Sequence, residues 1–236
     1  MKIIFYIALI GKTLLIFMTK VGIFSRFTWK ILSYAFTGPF YAKAFFNQLI
    51  QIGFMSLPVV GLTAVFTGAA LALQIYSGGT RFNAESVVPS IVAIGICREL
   101  GPVLCGLIMS GRVASSISAE IGTMKVTEQI DALYTLNANP YNFLIIPRVF
   151  ACIISLPLLT LTGDILGILG GFLVGVSTLE FNPSNYLLNT IKFLEFADVV
   201  SGLIKAGFFG LIIGLLGTFH GLNTTCLLYT SDAADE

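Results

Sequence analysis

The sequence predicts an all-α integral membrane protein: an N-terminal interfacial amphipathic helix, four complete transmembrane helices, and one short polar helix between two of them. Three observations carry this. Of 236 residues, 56% are apolar and only 11% charged, against about 25% charged in an ordinary soluble domain; mean hydropathy is +0.92. No charged residue occurs between Lys43 and Arg81, a gap longer than the roughly 20 apolar residues that cross a bilayer. The charges are also unevenly placed. Lys2, Lys12, Lys20, Arg26, Lys30 and Lys43 all precede the first acid, Glu85, which predicts a cytoplasmic N-terminus because Lys and Arg concentrate on that side. A nucleic-acid-binding arm is the other reading of a basic segment, disfavoured here because the positives are spread thinly among aromatics.

The apolar run at 3–11 is not followed by the small-residue cleavage site of a signal peptide; basic residues follow instead. On a helix from about 12 to 33, Lys12, Thr19, Arg26, Lys30 and Ser33 share one stripe and aromatic and aliphatic residues cover the rest. That pattern suits a helix lying in the cytoplasmic interface. Span one is expected at about 48–77, bending at Pro58 and Gly61 and ending at Ser77-Gly78-Gly79. A far-side loop over 78–86 leads into span two at 87–118, with Arg98-Glu99 near its middle and a break at Gly101-Pro102.

The segment 120–141 is expected in the cytoplasm. Within it Thr127 is placed to cap a short helix whose first turn carries Glu128 and Asp131, acids favourable at a helix N-terminus. Ile130 and Leu133 give that helix a small apolar face, so it is suited to protrude and be gripped by a soluble partner.

Asn139-Pro140 marks the turn into span three, which starts near 143 with Arg148 expected to snorkel to the cytoplasmic surface. Gly163, Gly167, Gly171 and Gly175 make one face smooth enough for close helix approach, and Asp164 beside it is a lone intramembrane acid. A far-side loop or short surface helix opens at Asn182-Pro183, and span four covers about 196–222 with Asp198 and Lys205 on nearly one face. Of four cysteines, Cys97, Cys105 and Cys152 lie in apolar runs and read as packing residues; none, Cys226 included, has metal-ligand spacing.

Arg98-Glu99-Leu100-Gly101-Pro102, Gly111-Arg112, Ala119-Glu120-Ile121-Gly122-Thr123-Met124 and Thr127-Glu128-Gln129 together resemble the MlaE (YrbE-like) permeases, the membrane subunits of ABC lipid transporters that work with Mce-domain proteins. The resemblance covers roughly 5–225. It implies a permease domain over 1–225 (interfacial helix 1–43, transmembrane bundle 44–225) that pairs with a second copy of itself in a bacterial inner membrane. Such a permease moves phospholipid or a related lipid, for outer-membrane lipid asymmetry or lipid trafficking. The resemblance also implies a separate cytoplasmic ABC ATPase that holds the ATP and Mg, no cofactor in this chain, and no nucleic acid. It places Leu71, Gln74, Ile75, Gly78, Arg98 and Glu99 around a lipid-binding cavity between protomers, with Lys205 nearby. It assigns ATPase coupling to Glu120, Thr127, Glu128, Gln129, Ile130, Asp131 and Leu133. The tail at 226–236 departs from the family, which continues into a fifth transmembrane helix; it resembles translated adapter sequence and is excluded from fold reasoning.

Two alternatives stay open on the residues alone. Arg98 and Glu99 either line a site or only tie the broken helix to a neighbour. Energy comes either from a partner ATPase or from an ion gradient relayed through Arg98, Glu99, Asp164 and Lys205. An intramembrane enzyme lacks any catalytic constellation, and Gly11-Lys12-Thr13 imitates a nucleotide-binding loop without its earlier glycine or preceding strand.

Overall fold

The computed structural model describes residues 2–39, 41–82 and 85–224; Asn83 in the far loop and the tail at 226–236 lie outside the described residues. Among the described residues there are helices, turns and no strand. Four stretches are long and apolar enough to cross a membrane: Ala42–Gly79, Val88–Val126, Tyr141–Ser177 and Phe196–Asn223. They are preceded by one long helix, α1 (Lys2–Thr37).

The first span consists of α2 (Ala42–Ile52), a tight turn at Phe54–Ser56, and α3 (Leu57–Gly79). The expected bend is therefore at 53–56, not at Pro58 or Gly61. Pro58 sits in the first turn of α3, where its missing N–H leaves no bond unmade. Gly61 instead makes room for Leu166, whose Cδ1 would lie 2.9 Å from a Cβ there.

The second span, α4 (Val88–Gly95), α5 (Gly101–Met109) and α6 (Ser115–Val126), does not break at Gly101-Pro102. It widens into π-turns at Ile96–Leu100 and Ser110–Ala114, the local adjustment by which a membrane helix absorbs a proline. It also runs on to Val126, so the residues after 120 are helical rather than a separate polar segment. A short helix, α7 (Gln129–Thr135), follows.

The third span, a π-turn at Tyr141–Ile145 and α8 (Ile146–Ser177), is the most buried of the four. Its glycines explain why. A Cβ on Gly170 would overlap the Val65 carbonyl, and one on Gly68 of α3 would overlap the Gly167 carbonyl, so the two backbones touch directly. Gly171 and Gly175 make room for Tyr186 of α9 (Pro183–Phe193). In lipid, where apolar burial gives little drive for helices to associate, such close backbone packing is what remains to hold them.

The last span is α10 (Phe196–Asn223), opened by a reciprocal capping box between Glu195 and Asp198. Gly210 and Gly214 seat it against Cys152 and Val149 of α8, and Gly217 against Ala114 of the second span.

The two ends of the bundle are closed differently. At the basic end the second half of α1 packs by Phe24 and Phe27 on Phe219, and by Tyr34 on Tyr141, while Lys125 Nζ donates to the Leu222 carbonyl at 2.6 Å. At the opposite end Asn182 caps α9 by accepting from the Ser184 and Asn185 N–H groups, and Asn189 Nδ2 donates to the Ser86 carbonyl at 3.3 Å. The expected surface segment is thus a capped helix clamped to the start of span two.

Because Gly68 meets backbone, which has nowhere to move, Gly68→Ala is expected to lower the unfolding midpoint of the purified protein and cost about 1–3 kcal/mol. Gly111→Ala, where a Cβ meets nothing within 4 Å, is the control and is expected to leave it unchanged; equal midpoints would refute the backbone-contact account.

Candidate functional site

The mid-span charges arise from one backbone event. In a regular α-helix the Arg98 carbonyl accepts from residue 102, but Pro102 has no N–H to give. Lys205 Nζ on α10 donates to that carbonyl at 2.9 Å and to Glu99 Oε1 at 2.8 Å. Arg98 in turn lies 3.7 Å from Asp198. Four charges of balanced sign therefore stitch the π-turn of span two to span four. Gly202 lets the helices approach, since a Cβ there would overlap the Cys97 carbonyl.

The cluster is not a sealed core. The Arg98, Glu99 and Lys205 side chains remain 58%, 62% and 37% exposed, roughly 15 Å along the helix from Val88 at ~1.5 Å per residue, deep in a ~30 Å hydrocarbon layer. Charged groups at that depth face protein or a water-filled cavity, not acyl chains.

Asp164 does not join them. It is buried, neither carboxylate oxygen has a hydrogen-bond partner among the described residues, and it presses on Gly101, where any Cβ would overlap Oδ1. Of the expected four-member relay, Arg98, Glu99 and Lys205 come together, and Asp198 stands in the place expected for Asp164. The signal for Asp198 was its seven-residue spacing from Lys205.

At the far end of span one, Leu71 and Ile75 are half-buried against Val88, Val92 and Ile96 of span two, with Leu71 3.8 Å from a Cβ placed on Gly95. Gln74 and Gly78 are exposed, and nothing lies within 4 Å of a Cβ at Gly78. No hydrogen bond among the described residues links Gln74 to Arg98 or Glu99.

The polar hairpin at the basic end departs from expectation in detail. Thr127 does not cap α7: it ends α6, its backbone N–H and its hydroxyl both donating to the Thr123 carbonyl. The residue before α7 is Glu128, held in the left-handed region at φ 59° with no side-chain cap, which turns the chain sharply. Asp131 is in the first turn as expected. Ile130 is buried and Leu133 packs on the same core cluster, so the apolar face locks α7 onto the bundle.

The turn at Thr127 and Glu128 is exposed, as are Gln129, Asp131 and Tyr134 of α7, with Leu136 beyond. Asn137, in the left-handed region, closes the helix in a Schellman pattern: Ala138 N–H donates to the Leu133 carbonyl and Asn137 N–H to that of Tyr134.

Glu120 is placed elsewhere. Its carboxylate accepts from Arg148 Nη2 at 2.6 Å while Arg148 Nη1 donates to the Leu144 carbonyl at 2.8 Å. Arg148 is 4% exposed and does not snorkel. The two lie on neighbouring spans about equally far from the connecting hairpin, a depth match that flags an ion pair in sequence.

Arg148 is buried while Glu120 is 39% exposed, so removing the carboxylate leaves a buried guanidinium without its charge partner. Glu120→Gln is expected to destabilise the protein by about 1–3 kcal/mol in thermal unfolding, with Glu120→Gln/Arg148→Met recovering part of the loss. No change in the single variant would show that the pair contributes nothing.

Comparison with known proteins bears on the whole bundle. The family model described as permease MlaE matches residues 45–226. A probable ABC transporter permease protein of Rickettsia felis is 51% identical over 212 residues, covering 90% of this chain and 82% of the relative. One from Synechocystis is 37% identical over 179 residues, covering 76% and 68%. The intermembrane phospholipid transport system permease protein MlaE of Haemophilus influenzae is 35% identical over 178 residues, covering 74% and 67%. The matched region takes in span one from residue 45 onward, the other three spans, the mid-span charges and the polar hairpin: the chain belongs to the MlaE permease family.

Proposed function

We propose that this chain is the permease subunit of an ABC transporter that moves phospholipid or a related lipid across or out of a bacterial inner membrane. The observation that carries the reading is α7: a short helix anchored by Ile130 and Leu133 that presents Glu128, Gln129, Asp131 and Tyr134 outward at the basic end. A helix rigidly joined to the bundle yet polar on its outer face is suited to pass a push from a soluble motor to the spans. The motor is a separate cytoplasmic ATPase that binds the ATP and Mg, and this chain acts as a transport subunit without catalytic chemistry of its own.

The basic end is the cytoplasmic one on this reading, because the N-terminal Lys and Arg residues and α7 share it. Exposed charges at mid-span need cover, so two copies of the chain enclose a cavity onto which Arg98, Glu99 and Lys205 open. Leu71, Gln74, Ile75 and Gly78 form its far-side wall, where Leu71 and Ile75 favour acyl chain and the charges favour a head group. An Mce-domain protein on the far side is the partner for lipid entry or exit. The relative from Haemophilus influenzae, whose name specifies intermembrane phospholipid transport, supports phospholipid as the cargo.

The test is charge reversal on the outer face of α7. Glu128→Lys/Asp131→Lys is expected to leave the permease inserted and folded, since both side chains are exposed, but to weaken capture of the ATPase or uncouple its ATP hydrolysis from lipid transfer about tenfold or more, the scale of losing charged interface contacts. Wild-type assembly and coupling in the double variant would overturn the assignment of α7.

A further inference from the structure

Below the mid-span cluster, on the cytoplasmic half as the proposed function orients the chain, a second polar feature is built by two facing helical stripes. Gln48, Gln51 and Met55 of the first span face Arg112, Ser116 and Glu120 of the second across a cleft that opens to the surface. The π-turn Ser110–Ala114 carries Arg112. Its side chain is exposed and makes no ion pair or hydrogen bond among the described residues.

Charge and depth decide what such a cleft takes. Glu120 is neutralised by Arg148 at 2.6 Å, so the cleft presents one uncompensated positive charge, Arg112. Around it stand the amides of Gln48 and Gln51 and the Ser116 hydroxyl, all able to donate to oxygen. Arg112 lies about 36 Å along span two from Val88 at ~1.5 Å per residue, at the cytoplasmic edge of a ~30 Å hydrocarbon layer. It is roughly 21 Å along the helix from Arg98, too far to share one head group with the mid-span cluster. Ile52, Met55, Val113 and Ile117 supply apolar walls in the same cleft.

We propose that this cleft is a second lipid site, which binds the phosphodiester head group of a phospholipid in the cytoplasmic leaflet through Arg112, with Gln48, Gln51 and Ser116 as further donors. A guanidinium suits this task because its planar fork pairs with two phosphate oxygens at once. One positive charge matches the single negative charge of a phosphodiester. The site gives the permease a foothold on the inner leaflet, separate from the cavity at mid-span. It rests on the orientation used in the proposed function but not on the motor or on the mid-span cavity, so either can fail without the other.

The experiment is photo-cross-linking in the intact transporter, reconstituted in bilayers of phosphatidylethanolamine and phosphatidylglycerol. A photo-reactive residue replaces Ser116, and a second preparation carries it at Leu62, an exposed position on α3 that reports surrounding lipid. Phospholipid capture at 116 is expected, falling at least about fivefold with Arg112→Gln, the loss of one charge-assisted contact, and recovering in part with Arg112→Lys, while capture at 62 is unchanged. Gln51→Leu is expected to lower capture at 116 by a smaller factor, and it keeps the test open if Arg112→Gln does not assemble. Capture at 116 that ignores both substitutions overturns the proposal. So does capture abolished by excess inorganic phosphate alone, which would make this a soluble-anion site, or capture of a second permease copy in place of lipid.

Discussion

The ammonium of Lys205 is the contact on which the mid-membrane architecture depends. Pro102 withdraws a backbone donor in the middle of a span, and a backbone carbonyl left unmet at that depth is costly. Lys205 supplies the missing donor to the Arg98 carbonyl and, with the same nitrogen, holds Glu99. From that follow the π-turn at Ile96–Leu100, the outward placement of two charged side chains, and the bond between spans two and four. A proline that would weaken a soluble helix here creates a polar station in the bilayer.

The rest of the bundle keeps that station rigid. Span three is the spine: Gly170, with Gly68 of α3, brings it to backbone contact with α3, and Gly210 and Gly214 of α10 seat that helix on it. The Arg148–Glu120 pair locks spans two and three at the basic end, and α9 clamps the other end through Asn189. Motion imposed on α7 therefore meets a stiff body through Ile130 and Leu133. That is the property a transmission element requires.

Much of this was legible in the residues. The number and order of spans follow from hydropathy and charge, and the glycine spacing of span three announced its close packing. What was not legible is what depends on partners far apart in the chain. Arg148 reads as a snorkelling cation until Glu120 is found at its depth. Thr127 reads as a helix cap because it precedes an acidic turn, yet the preceding helix runs on to Val126 and claims it; the left-handed Glu128 has no sequence signature at all. Pro102 reads as a break, because local reasoning sees the lost N–H but not the lysine on another span that compensates for it. For the same reason Asp198, not Asp164, joins the charge cluster: only the packing of α10 decides which acid comes within reach of Arg98.

The central claim is that the mid-span charges open on a hydrated cavity that lipid enters. The most direct measurement is the reactivity of Glu99→Cys, in a variant otherwise lacking cysteine, with a membrane-impermeant thiol reagent applied to the reconstituted transporter. The account predicts that the thiol reacts and that added phospholipid slows the reaction. A thiol at 99 that reacts only with a lipid-soluble reagent, or one that phospholipid does not protect, would contradict it.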